Sequence, residues 1–250
     1  MKCLVFCSIL SMISVMLFAK SSTYLHKLKR LYQGLMQFVA PSSCAVCFEL
    51  LQQTTRMGVC ASCYGKLPEW DVNTVAEPPL PRYVDRFDAP FLYDEAVKLL
   101  ITAMKFSDKP EYAHALAQVS QDRFKNCLHE DVLVLPVPMH RERLIKRMYN
   151  QSAELVKALR RYATFDDSLT GLRRVRPTKP QVGQSAKARQ QNLKDAFEVL
   201  IDVQDKSILL VDDVWTTGST ADACAKCLKK AGAKEVAVFT IAYVEKPTVN

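Results

Sequence analysis

The most informative segment of the chain reads Ile208-Leu-Leu-Val-Asp-Asp-Val-Trp-Thr-Thr-Gly-Ser-Thr220. Its four leading residues are aliphatic without alternation, which predicts a strand buried on both faces. Asp212 and Asp213 come next, where such a strand would leave its sheet. A turn rich in hydroxyl groups follows, and residues 221–230 have the composition of a helix. The segment therefore predicts a buried strand, a pair of acids, a turn and the N-terminus of a helix.

This combination predicts a binding site for a sugar phosphate. The first N–H groups of a helix have no partner within it, and the helix dipole favours an anion beside them. Two carboxylates would repel free phosphate, so we expect them to face sugar hydroxyls or a metal ion. The alternative is an ordinary strand and helix, with Ser219 or Thr217 as the helix cap. A cap alone does not require paired acids and two threonines, so the ligand site is favoured.

The segment resembles the signature with which type I phosphoribosyltransferases bind 5-phosphoribosyl-1-pyrophosphate (PRPP): an aliphatic strand, two acids and Thr-Thr-Gly-x-Thr. Rossmann and Walker motifs do not fit, since Gly218 stands alone and no Gly-Lys-Ser/Thr occurs. The resemblance implies that the catalytic residues Asp212 and Asp213 contact the ribose hydroxyls, and that Mg²⁺ accompanies PRPP. The residues that it assigns to the 5-phosphate are Thr216, Thr217, Gly218, Ser219 and Thr220.

Size and composition are those of a globular protein that can bury a full core. The chain has 250 residues, of which 49% are apolar and 24% charged. Its net charge of +8 is unevenly distributed, because Lys and Arg greatly outnumber Asp and Glu between residues 141 and 194. Such a basic stretch indicates a polyanionic partner, either pyrophosphate or nucleic acid. A solvated basic face is the alternative for its more dispersed members.

Two cysteine pairs, Cys44-Ala-Val-Cys47 and Cys60-Ala-Ser-Cys63, stand near the start of the chain. Their spacing suits a structural zinc ion held by four thiolates, with two disulfides or unpaired cysteines as the alternatives. A third such pair, Cys224 and Cys227, falls within the predicted helix after the acids. There the two residues are interpreted as small buried packing residues.

Strands and helices alternate along the rest of the chain, which predicts an α/β fold with an open, mostly parallel sheet. The predicted strands are residues 131–136, 197–201, 208–211 and 236–244. The predicted helices are residues 93–106, 112–128, 141–162 and 221–231. The resulting division is a zinc ribbon at 43–68, a proline-rich linker at 69–90 and a phosphoribosyltransferase-like domain at 91–246.

The first 42 residues form two predicted segments. Residues 1–20 are apolar and are interpreted as a signal-like segment, a membrane tether or an over-extended start. Residues 21–42 predict a basic amphipathic helix. We expect a cytoplasmic protein, because PRPP is a cytosolic metabolite and the cysteine pairs would be oxidised outside the cell. Membrane contact through residues 1–20 is the remaining option.

A second informative segment, Pro136-Val-Pro-Met-His-Arg-Glu-Arg-Leu-Ile-Lys-Arg-Met-Tyr-Asn-Gln151, directly follows another predicted buried strand. It resembles the ComF/GntX family, phosphoribosyltransferase-like proteins with an N-terminal zinc ribbon. The similarity runs from about residue 43 to residue 244 and includes Lys105-Phe106. One departure is Met148, which stands where glycine is expected before Tyr149. A later stretch also matches, at Gln181, Gln184, Arg189, Asn192, Ala196 and Phe197.

The family resemblance implies further site residues. Those expected to bind pyrophosphate are Val137, Pro138, Arg143 and Arg147. Gln184 and Arg189 belong to the stretch that occupies the place of a mobile loop closing over PRPP in active relatives. The family also implies a role in DNA uptake and natural transformation, with single-stranded DNA or DNA-uptake proteins as partners, and we expect a homo-oligomer. The alternative is an active enzyme of nucleotide metabolism that transfers ribose 5-phosphate from PRPP to a nitrogen acceptor.

Overall fold

The structure is a computed structural model that describes residues 43–51, 58–106, 111–176 and 195–245. The apolar segment 1–20, the predicted amphipathic helix 21–42 and the loop residues Gln184 and Arg189 lie outside the described residues. Within the described ranges, no helix has both the length and the apolar content needed to cross a bilayer.

A six-stranded sheet organises the chain, and all its strand pairs are parallel. The order is β1-β8-β7-β3-β4, with β2 also paired to β8. A separate antiparallel pair, β5 and β6, stands apart from it. The predicted α/β fold with a mostly parallel sheet is confirmed. The strands are β1 (Arg86–Asp88), β2 (Phe91–Leu92), β3 (Val132–Pro136), β4 (Asp166–Asp167), β5 (Leu172–Arg174), β6 (Phe197–Val199), β7 (Ser207–Trp215) and β8 (Glu235–Tyr243).

Helices cover both faces of this sheet. Leu209 and Val211 of β7 belong to one buried cluster, whereas Ile208 and Leu210 belong to another on the opposite face. Because both faces are dry, the strand has no need of alternating polar residues, which explains its aliphatic run. The helices are α1 (Ala61–Tyr64), α2 (Glu95–Phe106), α3 (Glu111–Asn126), α4 (Arg141–Arg147), α5 (Gln151–Leu159) and α6 (Ser219–Lys230).

The long basic helix predicted over residues 141–162 is wrong, because two helices, α4 and α5, occupy that range. Helix α4 ends at Met148, whose backbone is left-handed with φ of 66° and whose N–H donates to the carbonyl of Leu144. Helix α5 starts afresh after Asn150, whose side chain accepts a hydrogen bond from the N–H of Ser152. A left-handed residue followed by a polar cap ends one helix and begins another. Met148 thus adopts the conformation for which glycine was expected.

Part of the proline-rich stretch is structured. Residues 86–88 form β1, an edge strand that pairs with β8, rather than a linker. Trp70 is 2% exposed, and its ring lies 5.5 Å from those of Phe87 and Tyr243. The prolines do interrupt regular structure, but the aromatic side chains between them bury apolar area against the sheet, and this holds the stretch in place.

The cysteine-rich segment packs on the same core as the sheet. Cys44, Val59 and Leu67 are buried in one cluster with residues of α2 and α3. Gly58 approaches α3 so closely that a β-carbon would lie 2.7 Å from Cβ of Ala115, and its φ is +49°. This contact requires glycine, and it holds the segment against the rest of the fold.

Replacing Met148 with glycine should raise the free energy of unfolding by about 0.5–1 kcal/mol, because left-handed backbone strains residues that carry a β-carbon. The Met148 side chain is 83% exposed, so its removal costs little apolar burial. Urea unfolding at equilibrium measures the change. Met148→Ala keeps the β-carbon and is the control, for which no gain is expected. A glycine variant no more stable than the alanine variant would contradict the left-handed turn.

Candidate functional site

The two acids lie near the carboxyl end of β7 but within the strand, which continues to Trp215. The prediction that the acids follow the strand is therefore wrong: the strand runs four residues beyond the predicted end at residue 211, and Asp212 and Val214 still pair with β8. Alternation in the strand turns neighbouring side chains to opposite faces. Asp213 is 6% exposed and Asp212 is half-buried. Because the strand is still paired with β8 at this point, the backbone that carries both carboxylates is fixed within the sheet.

Asp212 accepts two hydrogen bonds through one oxygen. The hydroxyl of Ser152, in the first turn of α5, donates to Oδ1 at 2.8 Å, and the N–H of Asp213 donates to the same atom at 2.9 Å. Burial and the neighbouring charge of Asp213 raise the pKa of Asp212 to about 7, although these hydrogen bonds oppose the rise. The site therefore favours the protonated form of Asp212 more than water does.

Asp213 is paired with a cation from a distant part of the chain. Nζ of Lys105, in the last turn of α2, lies 2.8 Å from Oδ2 of Asp213. The two side chains are 23% and 8% exposed, so the ion pair is largely shielded from water. The pair brings a positive charge to the end of β7.

The turn after β7 leads directly into helix α6. Gly218 is the N-cap with φ of 69°. The hydroxyl oxygen of Thr217 accepts a hydrogen bond from the N–H of Ser219 at 3.4 Å, so Thr217 takes part in capping the helix, whereas Ser219 is the first residue of the helix itself. The hydroxyls of Thr217 and Ser219 lie 2.8 Å apart and hydrogen-bond each other. Thr216 is exposed, while Thr217, Ser219 and Thr220 are half-buried. The helix N-terminus therefore presents its dipole and a set of hydroxyl groups, one of which is bonded to the first N–H of the helix.

Trp215 is the reason that the turn needs glycine. A β-carbon on Gly218 would lie 2.6 Å from Cζ2 of Trp215 and 3.2 Å from Cγ of Pro81. The indole ring is 3% exposed and packs 4.3 Å from the ring of Phe87. Trp215 is thus a core residue that packs directly against the turn at Gly218.

The segment after β3 runs alongside the acids. The N–H of Val137 donates to the carbonyl of Val211 at 2.9 Å, and the side-chain amide of Asn150 donates to the carbonyl of Val137 at 3.1 Å. Val137 and Pro138 are buried, and Pro138 has no N–H. These two residues therefore shape the segment, and any charge for a pyrophosphate must come from elsewhere in it.

The predicted cations of this segment lie on α4. Nη1 of Arg147 donates to Oε1 of Gln151 at 3.4 Å, across the turn between α4 and α5. The backbone of Arg143 lies one turn earlier in the same helix. Since Ser152 of α5 contacts Asp212, this helix pair is tied to the acid site.

Four cysteines form a second candidate site. The sulfur atoms of Cys44, Cys47, Cys60 and Cys63 all lie within 4.8 Å of one another and could hold a metal ion. The sulfurs of Cys47 and Cys60 are 3.8 Å apart, and the edge of a tetrahedral four-thiolate site is also about 3.8 Å. The N–H groups of Val46 and Cys60 donate to the sulfur of Cys44 at 3.4 and 3.3 Å. The geometry fits the predicted metal site.

The charges of these thiols also fit a metal ion. Burial opposes ionisation of Cys44, but N–H donors from Cys47, Cys60 and Val46 outweigh it and lower its pKa to about 6. Burial and the neighbouring thiols raise the pKa of Cys63 to about 12. Four thiolates this close repel one another, so they can coexist only around a cation.

Comparison with known proteins supports the phosphoribosyltransferase-like fold and the resemblance to the ComF family. The family described as "Phosphoribosyl transferase domain" matches residues 108–250. The chain is 30% identical to competence protein F of Haemophilus influenzae, over 73% of this chain and 77% of that one. The chain belongs to the ComF family of phosphoribosyltransferase-like proteins.

Other relatives carry related names. The ComF-family chain is 32% identical to DNA utilization protein YhgH of Escherichia coli O157:H7, over 73% of this chain and 76% of that protein. It is 28% identical to competence protein ComFC of Streptococcus pneumoniae, over 60% and 65% of the two lengths.

The structure adds two residues to those that the sequence predicted for this ComF-family site. The family pattern includes Lys105 without assigning it a role, and the sequence carries no signal for Ser152. Their contacts with Asp213 and Asp212 depend on tertiary packing between elements far apart in the chain. Local sequence therefore marks Lys105 through the family pattern, but it does not show that Lys105 pairs with Asp213.

Replacing Asp212 with asparagine should stabilise the protein, and more so at pH 8 than at pH 5. The pKa of Asp212 is about 7 in the folded protein and about 4 in the unfolded chain. The native protein therefore loses free energy of unfolding as the pH rises from about 4 to about 7. Asparagine keeps an oxygen for Ser152 and removes this penalty, with a gain of about 1–2 kcal/mol at pH 8. Urea unfolding at both pH values measures it.

Asp122→Asn provides the control, because Asp122 is an exposed acid on α3 that pairs with Lys125 one turn further along the same helix. Its effect should be small and equal at the two pH values. If Asp212→Asn destabilised the protein at pH 8, or if its effect were independent of pH, the claim that ionisation of Asp212 lowers the free energy of unfolding would be contradicted.

Proposed function

We propose that this ComF-family protein binds PRPP, or a closely related phosphoribosyl ligand, at the end of β7 and acts in DNA uptake. The observation that carries the ligand assignment is the juxtaposition of two strand-held acids with a helix N-terminus that begins at a left-handed glycine. An acid pair suits vicinal hydroxyl donors, and a helix N-terminus lined with hydroxyl groups suits a phosphate. One ligand that carries both groups is a ribose 5-phosphate.

In the proposed complex each part of PRPP has its own group of residues. Asp212 and Asp213 accept hydrogen bonds from the ribose hydroxyls. The turn of residues 216–220 receives the 5-phosphate at the N-terminus of α6. Arg143 and Arg147 of α4 supply charge for the pyrophosphate, and Val137 and Pro138 shape the adjoining backbone. Gln184 and Arg189 stay predictions for the loop that closes over the ligand.

Mg²⁺ is expected to accompany PRPP. Asp213 is already paired with Lys105, so the ligand's own oxygens would supply most of the coordination, as is usual for Mg²⁺ bound with phosphates. When bound, the ion neutralises pyrophosphate charge. The protein contributes by orienting the ribose and by placing cations around the phosphates.

The role in DNA uptake is supported by the names of the relatives, competence protein F, competence protein ComFC and DNA utilization protein YhgH. The basic stretch of residues 141–194 and the cysteine-rich segment are the proposed contacts for single-stranded DNA or for proteins that handle it. We place this activity in the cytoplasm, where PRPP is made, and expect a homo-oligomer.

A second candidate function is phosphoribosyl transfer to a nitrogen acceptor. Asp212 favours it, because a carboxyl group with a pKa of about 7 can take a proton from an attacking nitrogen at neutral pH. The bond between the anomeric carbon and the pyrophosphate oxygen would break as the carbon–nitrogen bond forms. Release of pyrophosphate from PRPP in the presence of a nitrogen base would establish this activity.

Calorimetric titration of the full chain with PRPP and Mg²⁺ tests the ligand assignment. The double variant Asp212→Asn/Asp213→Asn should lose at least about 10-fold in affinity, since hydrogen bonds to charged acceptors are replaced by weaker neutral ones. Gly218→Ala should also weaken binding, because its β-carbon meets Trp215. Gly65→Ala is the matched control, because a β-carbon there makes only an ordinary contact of 3.6 Å.

The same variants extend the test to cells. Placed in Haemophilus influenzae instead of competence protein F, the wild-type chain should restore transformation and the double variant should not. A wild-type protein that binds no PRPP would refute the ligand assignment. Full transformation by a double variant that no longer binds PRPP would refute the link between the site and DNA uptake.

We further propose that the four-cysteine site holds zinc with a structural role. Four thiolates leave no open coordination position for catalysis. Purified protein should contain one equivalent of zinc, and Cys44→Ser/Cys60→Ser should lose both the metal and thermal stability, because Cys44 belongs to the shared core. Cys224→Ser/Cys227→Ser, on α6, should keep the metal. A folded wild-type protein without metal would contradict the site.

A further inference from the structure

The acid pair creates an electrostatic problem for the proposed ligand. PRPP carries a phosphate and a pyrophosphate, and two adjacent carboxylates would repel both. Asp213 is the more buried of the two acids, at 6% exposure, so its charge is the less screened. Some group must offset that charge before a polyanion can approach.

Lys105 is placed to do so. Its Nζ lies 2.8 Å from Oδ2 of Asp213, and its side chain is still 23% exposed. The ammonium group therefore neutralises the acid in a largely shielded ion pair, while part of the Lys105 side chain stays exposed. Among the ion pairs of the described residues, this one alone involves either acid of β7.

The end of α2 that carries Lys105 is anchored to the proposed pyrophosphate segment. The hydroxyl of Tyr149 donates a short hydrogen bond to the carbonyl of Met104, the residue before Lys105. Three residues after Tyr149, Ser152 donates to Asp212. One turn of chain between α4 and α5 thus positions both the cation and the second acid.

We propose that Lys105 is a positioning residue that acts through Asp213: it compensates the charge of this acid and so permits a polyanionic phosphoribosyl ligand to occupy the site. This inference rests on the proposed function and adds to it a determinant of ligand charge. With Lys105 paired to Oδ2, the acid pair presents a smaller net negative charge, and Oδ1 of Asp213 is left for the ribose. Without Lys105, the cost of binding rises with the charge on the ligand.

A purely structural ion pair would behave differently. Replacing such a pair by an apolar residue alters stability, and it affects ligands of every charge alike. The charge dependence of affinity therefore separates the two roles, and so does the coupling between Lys105 and Asp213.

The experiment is calorimetric titration of the full chain with PRPP and Mg²⁺, and separately with ribose 5-phosphate, which lacks the pyrophosphate. Lys105→Met should weaken PRPP binding by at least about 10-fold and ribose 5-phosphate binding by much less. Lys105→Arg should retain most of the affinity. Lys98→Met, on the same helix and with an exposed partner in Glu95, is the control and should match the wild type.

Coupling provides the second readout. In the Asp213→Asn background, Lys105→Met should weaken PRPP binding by less than it does in the wild type, because Lys105 no longer has a carboxylate that holds its ammonium group at the site. Lys105→Gln, which keeps polarity and length, serves as the neutral variant if the methionine variant does not fold.

Three results would overturn the inference while leaving PRPP binding intact: unchanged PRPP affinity in the neutral variants, equal losses for the two ligands, or additive losses with Asp213→Asn. Failure of the wild-type chain to bind either ligand would instead refute the proposed function, and this inference with it.

Discussion

Strand β7 has a parallel neighbour on each side, β3 and β8, and buried clusters on both faces. A shift of one residue in its register would turn every side chain to the opposite face, so the pairing is strongly specified. The two acids at its carboxyl end inherit that rigidity. The positions of the turn, of α6 and of the segment after β3 all follow from this strand, because each is bonded to it or continues from it.

The site concentrates features that cost stability. Asp212 is held where ionisation is opposed, Asp213 needs a cation from α2, and Gly218 takes a left-handed conformation above Trp215. Such features persist only when the surrounding structure compensates for them. Here the compensation comes from the packing of Trp215 and Phe87 against the turn and from the hydrogen bond that Ser152 of α5 donates to Asp212. The candidate site lies at the carboxyl end of the central parallel strand, which is where ligands bind in open α/β sheets.

Much of this arrangement was predictable from local sequence. The aliphatic run of β7, the acids after it and the four-cysteine spacing each carry a strong local signal, and the fold class follows from their alternation with helices. The break between α4 and α5 was missed because the apolar positions of residues 141–162 continue at helical spacing, while the decisive left-handed residue is a methionine. The edge strand β1 was hidden by surrounding prolines. The partners of the acids, Lys105 and Ser152, depend on packing between distant elements, on which local sequence is silent.

A structure of the protein crystallised with PRPP and Mg²⁺ tests the central claim most directly. The account predicts the 5-phosphate at the N-terminus of α6, above Gly218, with the ribose hydroxyls facing Asp212 and Asp213. A phosphoribosyl group bound at another part of the molecule, or a pocket at the end of β7 closed to it, would contradict the account.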